Sequence, residues 1–326
     1  NGTLPSGLTG ATITSETEIK LTGAGMTLST ETLKVMNGEE EVSFTVSGTT
    51  VTVSGISLKE VSGLTVSYTD SLGTDTVTAQ FDEKLVAEWF DVDDVSVFGY
   101  NSSTGIFKTW APFATSVKVI LFADAAAVLN NTPVTSGDEV VTIELTRGEK
   151  GIWANTESPA ALVGSNKYYK YRIVNNLVTY DVPDIWSKVA SKNSMATQIV
   201  DIDDSSAQPS GWEANYTNPF GNSGSDSKNY TEAVIYEMHI RDWSRVEVSD
   251  STGKFREIGD GEKIIAHLKD LGITHVQILP SFEYAESITN KMYNWGYNPQ
   301  NYNVPEGRYA TEGYKDGTQA VQDMRY

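Results

Sequence analysis

The sequence predicts a multidomain chain: two all-β units followed by the start of an α/β unit. Three observations carry this. Residues 1 to about 82 are rich in Thr, Ser, Val and Gly and alternate apolar and polar residues with period two. Strand-like runs with more aromatic residues then continue from 83 to 205. From 231 the pattern changes to near-continuous apolar runs on either side of a helix-spaced segment. At 326 residues the chain has room for two or three domains, since a domain takes roughly 100–200 residues.

In the first unit, 41–47 and 50–54 alternate apolar and hydroxyl residues about a turn that contains Gly48. The runs 64–68 and 76–81 continue the pattern. Short strands at a spacing of about ten residues suggest a small β-sandwich. In the second unit, 107–112 ends at Pro112 and leads into 117–122, 140–145, 151–154 and 168–174. Their β-branched and aromatic residues suit strands, and proline closes the first. Trp110 and Trp153 carry two readings. Large rings in strands are usually core residues, and the functional alternative is stacking on sugar. Residues 206–230, with Pro209, Gly211, Gly221 and Gly224 among serines, read as a polar linker.

Residues 231–326 are different. The run 233–240 is almost wholly apolar, as for a parallel strand buried on both faces. Residues 261–272 place Ile264, Ile265, Leu268 and Leu271 at helical spacing and end on Gly272, a glycine-capped helix. A second apolar run follows at 273–280. Strand, helix and strand with short joints make a βαβ unit. A parallel sheet of only two strands would leave open apolar edges, a template for aggregation.

Composition excludes several functions. With 43 acidic and 24 basic residues the net charge is −19, which repels nucleic acid and anionic lipid. A neutral polymer meets no such barrier. Cysteine is absent, so disulfides and thiolate metal sites are excluded. The three histidines form no ligand-spaced pair, and no metal site is expected. His239 and His275 fall inside predicted strands and are expected to be satisfied core residues. No apolar run approaches the about 20 residues of a membrane span. With its polar start Asn1-Gly2-Thr3, the sequence is not expected to open on a signal peptide.

The sharpest chemical signal is Tyr293-Asn294-Trp295-Gly296-Tyr297-Asn298-Pro299. With Tyr302, four aromatic rings crowd into ten residues, and such rings offer flat apolar faces to pyranose C–H groups. Gly296 lets the backbone come close, while Asn294 and Asn298 supply donors and acceptors. An ordinary aromatic turn is the bland alternative. Together with Asn301, Tyr302, Pro305, Glu306, Gly307 and Arg308, this stretch resembles the Y-N-W-G-Y-D-P signature of type I pullulanases, debranching enzymes of glycoside hydrolase family 13. The segments 107–112 and 233–244 add to the resemblance, which does not extend before residue 83. Phe107, Trp110-Ala111-Pro112, Gly151, Trp153 and Asp181 to Lys188 resemble the family 48 carbohydrate-binding module. Residues 1–82 resemble the immunoglobulin-like spacers of secreted bacterial polysaccharidases.

The resemblance implies an organisation: an immunoglobulin-like β-sandwich spacer at 1–82, a carbohydrate-binding-module-like β-sandwich at 83–205, a linker at 206–230, and the incomplete N-terminal portion of a (β/α)8 TIM barrel at 231–326. A complete barrel takes about 250 residues. It implies debranching of pullulan, starch or glycogen at α-1,6 linkages with retention, by two carboxyl groups about 5–5.5 Å apart. In the family these come from later strands, so no catalytic residue is assigned, and they are expected beyond Tyr326. Residues 1–326 alone are expected to be an inactive piece of a truncated or nicked enzyme. Glu237, Asp242, Glu283 and Glu286 tempt an assignment, but acidic residues at strand ends usually bond backbone or arginine. Arg241 and Asp242 read as supports of the sugar-facing rim. Tyr297 aligns with the tyrosine that stacks under glucose at subsite −1, and Tyr293, Asn294, Trp295 and Asn298 line or shape that loop. Asn298 stands where the family has Asp, which removes a charge while keeping a carbonyl acceptor.

The resemblance implies no identifiable cofactor here, with Ca2+ a family feature of the complete enzyme. It implies α-glucan as partner, together with the C-terminal remainder of the enzyme, and neither nucleic acid nor membrane insertion. It places the parent enzyme outside a bacterial cell or on its surface. Two other readings remain: a non-catalytic α-glucan-binding or surface-display module, and another family 13 debranching or branching enzyme.

Overall fold

The computed structural model describes residues 7–175, 178–212, 232–247, 253–285, 293–313 and 316–326. The architecture is rich in sheet, with several separate sheets and few helices. The linker expected at 206–230 lies outside the described residues from 213 on, as does Glu286.

The first strands build two sheets. One has five strands in the order Phe44–Ser47, Thr50–Val53, Glu18–Ala24, Gly7–Ile13 and Gln80–Phe81. The other has four, in the order Glu40–Glu41, Leu33–Asn37, Leu64–Asp70 and Gly73–Thr78. Alternation drives the shared core. Leu64, Val66 and Tyr68 point inward from one strand, while Ile19 and Leu21 point inward from another. Packing continues beyond residue 82. Asp82 caps the helix Glu83–Trp89 by accepting the Lys84 N–H, and Trp89 and Phe90 join the same core.

A second core lies beneath Ser116–Phe122 and Tyr168–Asn175, which pair antiparallel over seven residues from Ser116↔Val174 to Phe122↔Tyr168. Phe107, Val117, Val119, Leu121, Trp153, Tyr169 and Tyr171 are buried together there. Lys170 is buried as well, its Nζ donating to Asn131 Oδ1 at 3.2 Å and facing the Phe122 ring. The pairing continues to Val178–Val182, a strand with exposed residues that the apolar pattern did not indicate.

In the last part, Ile235–Met238 and His275–Ile278 pair in parallel across the helix Glu262–Asp270, which ends at Gly272 with φ of 71°. The expectation of strands buried on both faces is overturned. Ile235 is 63% exposed and Ile278 46%. Apolar strands are buried only when other elements cover them, and this sheet has two strands.

Polar contacts fasten this part to the one before it. Gln198 donates to Asp316 and Thr318 and accepts the Gly317 N–H at the start of the helix Gly317–Arg325. Arg325 donates to the carbonyls of Ile202 and Ala207 and stacks over Trp212. Glu283, 2% exposed, accepts N–H groups from Asn193 on one side and Gly307 on the other.

Candidate carbohydrate-binding site

The aromatic loop follows the second parallel strand and runs into the strand Pro299–Pro305, which pairs with Phe282–Tyr284. Its backbone is fixed by short polar side chains. Asn294 Oδ1 accepts the Gly296 N–H at 2.9 Å, closing a side-chain turn. Asn298 Nδ2 donates to the Ala285 carbonyl at 2.8 Å, and the Asn298 carbonyl accepts the Ala285 N–H at 3.0 Å. Gly296 takes φ of 83°, and a β-carbon there would lie 2.9 Å from the Pro280 carbonyl oxygen. Only glycine fits that conformation and that space.

This frame presents rings to solvent. Trp295 is 60% exposed, Tyr297 63% and Tyr302 72%. Exposed rings on a fixed backbone are unusual unless they meet a partner. Tyr293 is held differently. Its hydroxyl donates to Asp242 Oδ2 at 2.8 Å, and its ring lies 5.2 Å from His239 and 6.0 Å from the Arg241 guanidinium carbon. Burial of the hydroxyl, then the bond to Asp242, pushes the Tyr293 phenol up to about 12. Asp242 and Arg241 thus brace the rim.

Beneath the loop sits His239, 4% exposed. Its Nε2 lies 3.2 Å from the Asn294 carbonyl and 3.1 Å from the Tyr309 hydroxyl. A carbonyl only accepts, so Nε2 carries the proton. Nδ1 is buried without a hydrogen bond among the described residues, 3.9 Å from Asp242 Oδ1. Burial, the largest influence, lowers the imidazole pKa. His239 is therefore an internal brace with one nitrogen satisfied. Sequence spacing could not identify it, because Tyr309 lies 70 residues away.

The acidic side chains of this region hold backbone. Glu306 is fully buried and accepts the N–H groups of Tyr284 and Arg308. Asp323, 2% exposed, accepts from the Thr311 N–H and from Gln319. Glu237 instead meets a side chain, accepting from Gln277 Nε2 at 3.5 Å. Among the described residues no group of three or more His, Cys, Asp or Glu side chains gathers that could hold a metal ion.

Trp110 and Trp153 face inward. Trp153 is 6% exposed and donates its indole N–H to the Ala111 carbonyl at 2.9 Å. Trp110, half-buried, donates to the carbonyls of Phe90 and Lys150.

An exposed aromatic loop on a sheet-rich frame is the kind of surface that carbohydrate-active proteins present. No family model matches the chain. Its relatives are nevertheless consistent. It is 31% identical to the pullulanase of Bacillus subtilis over 260 residues, covering 75% of this chain and 31% of that protein. It is 25% identical to the pullulanase of Klebsiella pneumoniae over 296 residues, 67% of this chain and 26% of that protein. The chain thus spans about a third or less of the length of these relatives. Among solved structures, a pullulanase of Paenibacillus barengoltzii complexed with maltotetraose aligns with a TM-score of 0.57 at 28% identity, over 74% of this chain and 36% of that one. The type I pullulanase of Bacillus subtilis complexed with maltose aligns with a TM-score of 0.64 at 21% identity, over 99% of this chain and 45% of that one.

The resemblance to type I pullulanases therefore holds over most of the chain. The likeness of fold also reaches residues before 83, where sequence motifs gave none. Among the described residues no helix is long and apolar enough to cross a membrane.

Proposed function

We propose that this chain is the N-terminal part of a type I pullulanase that hydrolyses α-1,6 linkages of pullulan, starch or glycogen with retention. In this reading 1–82 is an immunoglobulin-like spacer, 83–205 a family 48 carbohydrate-binding-module-like domain and 231–326 the first strands of a (β/α)8 barrel. Tyr297 stacks under the glucose whose bond is cleaved. Trp295, Tyr293, Asn294 and Asn298 shape that subsite. The observation that supports this most is the loop itself: Trp295 and Tyr297 stand in solvent on a backbone fixed by Asn294, Gly296 and Asn298.

The chemistry then divides in two. This chain supplies positioning, because a ring under the sugar excludes water from one face and sets the orientation of the glycosidic bond. The nucleophile and the acid/base come from strands that the chain does not span, so residues 1–326 alone are inactive. The parent enzyme acts outside a bacterial cell or on its surface.

The test is maltotriose release from pullulan. A polypeptide joining this chain to the barrel strands that follow it releases maltotriose, and Tyr297→Ala lowers kcat/KM at least tenfold. Activity on pullulan that is indifferent to Tyr297→Ala would remove the loop from the active site.

A further inference from the structure

We infer that Glu283 is a positioning residue of the aromatic loop: its carboxylate couples a strained turn at 192–194 to the strand to which that loop is bonded. The coupling rests on geometry alone. Its consequence for sugar binding rests on the function proposed above.

The turn is Lys192–Ser194. Asn193 and Ser194 take φ of 55° and 47°, two successive non-glycine residues in the left-handed region. That conformation is unfavourable for residues with a β-carbon and persists where the surroundings hold it. Both sides hold it here. Ala196, buried with Ile120, Phe122 and Tyr168, roots the turn in the sheet of Ser116–Phe122. Across its base the Ser191 N–H donates to the Ala196 carbonyl at 3.0 Å. On the far side the Asn193 N–H donates to Glu283 Oε1.

Glu283, 2% exposed, lies on the strand Phe282–Tyr284, and its Oε2 accepts the Gly307 N–H at 3.0 Å. Its two oxygens thus face two backbone donors that are 114 residues apart in sequence, at 193 and 307. A carboxylate offers an acceptor to each. The amide of glutamine offers one acceptor and turns an NH2 group on the other N–H. Burial makes a donor left unpaired there costly.

From Glu283 the path to the rings is short. Glu283 stands opposite Asn301 in the strand pair. Two residues on, Ala285 is bonded twice to Asn298, the neighbour of Tyr297. Gln198 fastens the same seam through the helix Gly317–Arg325, whereas Glu283 acts on the strand itself. A turn that relaxed its left-handed residues would withdraw the Asn193 N–H and release that strand from its hold.

The test is amide hydrogen exchange of the 326-residue chain, with saturation-transfer NMR to maltotetraose. Glu283→Gln quickens the Ala285 amide about tenfold, as expected for one buried donor left unpaired. The Leu271 amide, which bonds His267 at the end of the helix Glu262–Asp270, stays within twofold of wild type. Asn193→Ala and Asn193→Gly remove the same side chain and differ in their tolerance of positive φ. Alanine therefore quickens Ala285 about threefold more than glycine does. Transfer to maltotetraose falls wherever Ala285 quickens. An Ala285 amide that keeps its wild-type rate in Glu283→Gln, or quickens no more than Leu271 as general destabilisation would give, overturns the proposal. So does an equal response to alanine and glycine at 193. A quickened Ala285 with unchanged sugar transfer upholds the coupling and removes the aromatic loop from sugar binding, so the two readings fail separately.

Discussion

Gly296→Ala is the sharpest perturbation of the aromatic loop. Position 296 has φ of 83°, and an added β-carbon would sit 2.9 Å from the Pro280 carbonyl oxygen and 3.2 Å from Tyr284 Cδ1. The left-handed conformation costs a non-glycine residue about 1–2 kcal/mol. The crowding adds roughly 1–3 kcal/mol, because its nearest neighbour is backbone and Tyr284 is fully buried. The loop should therefore lose about 2–5 kcal/mol of local stability. Native-state hydrogen exchange reads this at the Ala285 amide, which bonds the Asn298 carbonyl across the loop. Its exchange should quicken at least about thirtyfold. An Ala285 amide exchanging within threefold of wild type would show that neither the positive φ nor the Pro280 contact fixes the loop.

Three further predictions follow from the packing. His239 is held below its ordinary pKa mainly by burial, so the unfolded chain takes up the proton first as pH falls. The stability it contributes is complete above about pH 6.5 and is lost as pH drops through the folded value. Denaturation midpoints at pH 7.5 and 5.5 should converge in His239→Gln relative to wild type. Asp184→Ala strands the Tyr169 hydroxyl and the Trp186 N–H and should cost on the order of 2–4 kcal/mol, read by urea unfolding; Asp184→Asn should cost less. Ile278→Lys charges an exposed strand of the two-stranded parallel sheet. It should reduce self-association in light scattering while leaving thermal stability within about 0.5 kcal/mol of wild type.

What was legible in the sequence is what local pattern controls. The helix Glu262–Asp270 followed from Ile264, Ile265, Leu268 and Leu271, and its end from Gly272. The strands near Trp110, Leu121 and Trp153 followed from runs of β-branched and aromatic residues. Gly7–Ile13 and Glu18–Ala24 were not anticipated, because glycine and threonine dilute their apolar alternation. The exposure of Ile235 and Ile278 was misjudged because burial belongs to the neighbours of a strand, which its own composition does not specify.

The site divides in the same way. Tyr297, Trp295 and Asn294 stand out as candidates through crowding and spacing within one loop. His239 could not, since its bond to Tyr309 spans 70 residues and leaves no local periodicity. Trp186 stood in a recognised motif. Its ring stacks on Phe98 and its backbone N–H bonds Asp184, contacts that the motif does not specify. Long-range polar contacts such as His239 to Tyr309 are the least visible in sequence.

The measurement that bears most directly on the central claim is binding of maltotetraose to this chain by saturation-transfer NMR, comparing wild type with Tyr297→Ala. The account predicts weak binding, with Kd on the order of millimolar. Tyr297→Ala weakens the binding, and transfer to the sugar falls. Transfer to maltotetraose that is unchanged by Tyr297→Ala would contradict the assignment of the aromatic loop as a sugar-binding surface.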